Sequence, residues 1–118
     1  MNFSISASEE EILRVLWDTK HWMTCKELME YFNDKGKLWK RQTINTFLAR
    51  LIQKGLVVKN QNKYIYAYTK EEFDALKTQE ILDTFYNGSL KNFVAALSGT
   101  KKISSDDASA LKEYLDSL

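Results

Sequence analysis

The residues able to do chemistry crowd into one stretch of this chain. Between positions 35 and 70 lie Lys35, Lys37, Lys40, Arg41, Arg50, Lys54, Lys59, Lys63 and Lys70, with no aspartate or glutamate among them. The remaining 8 basic and all 16 acidic residues lie outside it, so a chain of net charge +1 carries one cationic segment between two anionic flanks. Such a segment sets up a local positive field that attracts polyanions, although a solvated basic face would have the same composition. Lys40, Arg41, Gln42, Thr43, Asn45 and Thr46 cluster within it. Gln and Asn can pair in bidentate fashion with adenine, Arg with guanine, and the methyl of Thr or Ala can meet that of thymine. Arg50, Lys59 and Lys63 offer cations for phosphate, which supply affinity and salt dependence without reading sequence. Lysines beside a hairpin tip also serve to protect a sheet edge.

Other chemistries find no constellation. His21 is the one histidine, and no Ser, Cys or acid is placed by motif to complete a catalytic group with it. Cys25 is the one cysteine, so it forms no internal disulfide and belongs to no metal-spaced set. No glycine-rich phosphate loop occurs. The expectation is a protein without catalytic activity, cofactor or metal. Met1–Glu11 lacks the basic start and apolar stretch of a signal peptide. No run approaches the ~18–20 apolar residues that cross a bilayer. A cytoplasmic protein with no direct membrane insertion is expected.

Those residues need elements to hold them. At 118 residues, 44% hydrophobic and without proline, the chain has room for one small domain plus an appendage built of long regular elements. Ser6-x-x-Glu9 and Ser8-x-x-Glu11 both suit the start of a first helix ending near Asp18. His21–Met23 reads as a short connection or brief strand. Thr24-x-x-Glu27 opens a second helix, which Asn33-Asp34-Lys35-Gly36 closes. A third runs from Trp39 to Lys54, with Ile44, Phe47, Leu48 and Leu51 at helical spacing and Gly55 as its left-handed stop. With that apolar side inward, Gln42, Asn45, Thr46, Ala49 and Gln53 face outward. Leu56–Lys59 and Lys63–Tyr68, separated by Asn60-Gln61-Asn62, then read as a β-hairpin.

This order is that of a winged helix-turn-helix domain, whose third helix enters the major groove. Winged helices also act as protein-interaction modules, so an adaptor that binds a protein partner stays open, as does a regulator responsive to a small ligand. The fold class is mainly α with a small β-hairpin wing. Residues 1–69 would form the winged domain and 70–118 a helical dimerisation region. The latter reads as three helices: Thr69-x-x-Glu72 onward to Asn87-Gly88, Ser89 to Gly99, and one following the Lys101–Asp107 stretch. They are amphipathic but too few to enclose a core, so they must dock onto the first domain or pair with another chain. Because the winged helix has its own core, a two-fold dimer through Phe73, Leu76, Phe85, Leu111 and Leu115 is favoured.

Several stretches resemble the penicillinase/methicillin-resistance repressor family. The opening segment Ile5-Ser6-Ala7-Ser8-Glu9-Glu10-Glu11-Ile12-Leu13-Arg14-Val15-Leu16-Trp17 carries the likeness first. Trp39, Thr43-Ile44-Asn45-Thr46, Leu48, Arg50-Leu51, Lys54-Gly55 and Tyr64-Ile65-Tyr66-Ala67-Tyr68 continue it. The resemblance covers nearly the whole chain and implies a homodimeric repressor on a palindromic double-stranded operator. In the antibiotic-responsive members a membrane sensor with a zinc protease domain triggers cleavage at an Asn-Phe bond, which here would be Asn92–Phe93. Two departures stand out. Those members typically have basic residues where this chain has Gln42 and Asn45. The copper-responsive branch has a cysteine-rich motif near its carboxy terminus, and no cysteine follows Cys25 here.

Overall fold

The computed structural model describes residues 3–99 and 102–118. Thr100 and Lys101, the latter within the expected connector, lie outside the described residues. The order is α1 (Ala7–Thr19), β1 (Met23–Thr24), α2 (Cys25–Asp34), α3 (Arg41–Gln53), β2 (Val57–Asn60), β3 (Lys63–Tyr66), α4 (Lys70–Tyr86), α5 (Leu90–Ser98) and α6 (Ser105–Asp116). One compact unit reaches to Thr78 and a second begins at Gln79.

The first unit is a winged helix-turn-helix. Ser6, not Ser8, caps α1: its hydroxyl accepts from the Glu9 N–H at 3.1 Å. Ile12, Leu13, Val15, Leu16 and Trp17 are buried along that helix. Thr24 and Glu27 close the expected capping box on α2, Thr24 Oγ1 accepting at 3.1 Å and Glu27 Oε1 at 3.0 Å. Ile44, Leu48 and Leu51 of α3 are buried against these helices, as the spacing requires. The wing is the outer part of a three-stranded antiparallel sheet in the order β1-β3-β2. The brief strand expected near Met23 pairs that residue with Tyr64.

Two expectations are corrected. The third helix begins at Arg41, with Lys40 as its N-cap and Trp39 ahead of it. Trp39 packs between Phe32 and Phe47, at ring-centroid distances of 4.7 and 5.3 Å, which holds the entering chain off the helix axis. Phe73, assigned above to a dimer face, is instead 5% exposed in the core of the first unit. It lies 5.4 Å from Trp17 and 6.0 Å from Phe3 between ring centroids. That packing carries the first unit past residue 69 to Thr78.

The second unit is helical and open. Ser89 caps α5 and Ser104 caps α6. No residue of either helix is buried. Asn87 and Gly88, both at positive φ, separate α4 from α5, so the turn signal read from that pair is realised in the backbone.

Candidate nucleic-acid interface

Both ends of α3 are fixed by backbone chemistry around it. Gly36, at φ 84°, ends α2 in a Schellman turn: Gly36 N–H donates to Asn33 O and Lys37 N–H to Phe32 O, at 3.0 and 2.8 Å. Gly55, at φ 78°, ends α3 the same way, with Gly55 N–H to Ile52 O and Leu56 N–H to Leu51 O, each at 2.9 Å. Leu51 and Leu56 are both buried, so the turn that launches the wing is anchored in the core.

The same turns place two lysines on acids of α1. Lys37 Nζ lies 2.7 Å from a Glu11 carboxylate oxygen, and Lys54 Nζ lies 2.6 Å from Glu9. Lys70 pairs with Asp74 at 2.8 Å. Three of the nine bases in the cationic segment are therefore neutralised locally. Lys35, Lys40, Arg41, Arg50, Lys59 and Lys63 form no ion pair among the described residues. The unpaired bases of the segment thus lie on α3, the wing and the end of α2.

On α3 itself, Gln42, Asn45, Thr46, Ala49, Arg50 and Gln53 are exposed, and Thr43 is half-buried. Thr46 Oγ1 donates to Gln42 O at 3.0 Å, which leaves its methyl and a lone pair for an external group. The helical repeat sets Arg41 and Asn45 on one flank and Thr43 and Arg50 on the other. Lys40 makes no side-chain cap, and the first turn of α3 contains no acid. Its first N–H groups are thus open at the positive end of the helix dipole.

Arg41 and Asn45 share a polar groove of about 480 Å³ with Thr24, Cys25, Lys26, Lys59, Gln61, Asn62 and Tyr64. Lys63 is exposed but does not line it. Glu27 is close enough to Lys63 to feel it: the carboxyl is held below its usual range, first by hydrogen bonds with Thr24, and less by His21 and Lys63. Cys25 donates its thiol to Arg41 O at 3.8 Å. Burial pushes that thiol upward, against the opposing pull of the Arg41 side chain. Sequence reasoning missed Lys26, Gln61 and Asn62. A signal existed for Lys26, since a cation two residues after an N-cap opposes the helix dipole.

The penicillinase repressor family matches residues 5–117. The chain belongs to that family. It is 28% identical to the penicillinase repressor of Bacillus licheniformis over 116 residues, covering 95% of this chain and 89% of that protein. The methicillin resistance regulatory protein MecI of Staphylococcus aureus (strain N315) is 25% identical over 118 residues, covering 97% and 94%. An uncharacterised 16.5 kDa protein of Latilactobacillus sakei is 26% identical over 115 residues, covering 94% and 77%. Membership makes this chain a transcriptional repressor, in a family of regulators and not of enzymes. No helix among the described residues is long and apolar enough to cross a membrane.

Of the remaining expected residues, Leu76 lies near the end of the first unit and Phe85, Leu111 and Leu115 in the second; all four are exposed, Phe85 to 73%. Leu90, Phe93, Val94, Leu97, Ile103 and Leu111 line an apolar cleft of about 340 Å³, with Lys102 and Asp107 also on its wall. Phe93 packs edge-on against Tyr86 at 5.3 Å between ring centroids. The Asn92–Phe93 bond lies in the first turn of α5, where the Asn92 N–H donates to Ser89 Oγ at 3.1 Å.

Proposed function

We propose that this chain represses transcription as a homodimer bound to a palindromic double-stranded operator. Lys40, Arg41, Gln42, Thr43, Asn45 and Thr46 contact the DNA, while Arg50 and Lys63 assist at phosphates. The observation that carries this reading is the sorting of charge. Lys37, Lys54 and Lys70 are paired to acids, whereas Lys40, Arg41, Arg50, Lys59 and Lys63 are left to an external anion. Uncharged amides on the outward face of α3 then supply sequence preference. Two-fold symmetry of the protein matches the two half-sites of such an operator. The apolar faces of the second unit, with no buried residue in α5 or α6, support the dimer.

Cleavage by a membrane sensor protease at Asn92–Phe93 would end repression in this scheme. Proteases take their substrates extended, so the first turn of α5 must open before the bond is reached.

Asn45→Ala should change preference at one operator position, and Lys63→Ala should weaken binding to all duplexes alike. Binding to a panel of single-base operator variants measures both. Equal, sequence-independent losses from the two changes would remove Asn45 as a base reader. A chain that binds no duplex even at low salt would be a protein adaptor instead.

A further inference from the structure

We propose that the groove between the start of α2, the start of α3 and the wing is a seat for one phosphodiester of the DNA backbone, with Lys26, Arg41 and Lys59 as its cations. The inference rests on the operator-binding reading above and adds to it a site and a residue, Lys26. Three elements converge there and bring Lys26, Arg41 and Lys59 with no carboxylate on the wall. Gln61 and Asn62 of the wing turn add amide donors. None of the three cations forms an ion pair among the described residues.

The placement of the cations is what local stability would avoid. Lys26 is the second residue of α2 and Arg41 the first of α3, so each sits at the positive end of a helix dipole. There a cation is unfavourable and an anion favourable. Two such mismatches on a groove with no acid in its lining, Glu27 beside it being bonded to the Thr24 N–H, are relieved together by a single phosphate, and local rules are broken in this way at sites of function. Asn45 lines the same groove. A phosphate held there would fix the register in which Asn45 meets its base, which is how backbone contacts serve sequence readout. Lys63, outside the groove and near Glu27, is the weaker phosphate ligand on this view.

The test is the salt dependence of binding to a duplex of arbitrary sequence, using the full chain. Lys26→Gln and Lys59→Gln should each reduce the slope of log K against log salt, and the double variant by about 0.9 per bound protomer, the value for one phosphate. Lys26→Arg should keep the slope, and Lys91→Gln, in α5, should leave it unchanged. The loss of slope should be equal on operator and unrelated duplex. Lys26→Gln with an unaltered slope, while the wild-type chain still binds, would overturn the seat and leave the repressor reading standing. Failure of the wild-type chain to bind any duplex would overturn both. Thermal stabilisation by inorganic phosphate alone, lost in Lys26→Gln, would assign the seat to free phosphate and overturn the backbone assignment.

Discussion

At the scale of single residues, two ion pairs on α1 show how location decides value. Glu10 and Arg14 pair at 2.9 Å on the solvent face, each about half exposed. Such pairs contribute about 0.2–1 kcal/mol at most, because water screens them and two long side chains must be ordered. Glu9 is 3% exposed, and its carboxylate meets Lys54 at 2.6 Å. Removing Lys54 strands a buried carboxylate, a change that costs about 3–5 kcal/mol when the remaining charge is fully enclosed. The partial exposure of Lys54 puts the expected loss near the lower end of that range. Lys54→Ala should therefore lower the thermal midpoint by several degrees, and Arg14→Ala by about a degree or less. Equal effects in calorimetry would mean that Glu9 finds water once Lys54 is gone. The pair also matters for function, since Lys54 caps α3 and Glu9 ties that end of the helix to α1.

At the scale of elements, α3 combines a need for stability with a need for an open end. The other five helices begin with a side-chain cap from Ser6, Thr24, Thr69, Ser89 or Ser104, but Lys40 supplies none. Lys40→Ser should add the missing cap and raise stability by about 1 kcal/mol. It should also weaken DNA binding, because a cation is lost and the first N–H groups become occupied. Chemical denaturation and duplex titration on the same variant separate the two effects. A variant that gains stability and keeps its affinity would show that the open end plays no part. The same helix shows what was legible in sequence. Ile44, Leu48 and Leu51 recur at a helical period, so the buried side and hence the outward amides could be read directly. The start could not, because Trp39 is held ahead of the helix by Phe32 and Phe47, which are distant in sequence and near only in the fold. Charge pairing was hidden for the same reason: Glu9 and Lys54 are 45 positions apart. The position of Lys26 near a helix start was legible, but the groove it shares with the wing forms only in the fold.

For the whole molecule, the deciding contrast is between a closed unit and an open one. Among its described residues the first buries eight large side chains almost completely, including Ile12, Leu28, Leu48 and Leu56. Among the described residues of the second none is buried, although Phe85, Leu90, Leu97, Leu111, Leu115 and Leu118 are all there. About forty residues with no enclosed core cannot offset the entropy of holding three helical segments. In the proposed dimer these amphipathic helices would gain their stability from a second copy, which would also double the number of winged helices facing DNA. Leu111→Asp, placed on the apolar cleft, should therefore do three things together. The chain should sediment at half the mass of the wild type, lose helical signal, and lose the dependence of its melting temperature on concentration. Operator affinity should fall much more than affinity of the winged unit for unrelated duplex, because two half-sites are no longer engaged by one tethered pair. Phe73→Ala should behave otherwise, since that ring is part of the first core: it should destabilise the winged unit by about 3–5 kcal/mol. A wild-type chain that sediments as a single copy at micromolar concentration would refute the dimer. Its exposed leucines would then need a different partner.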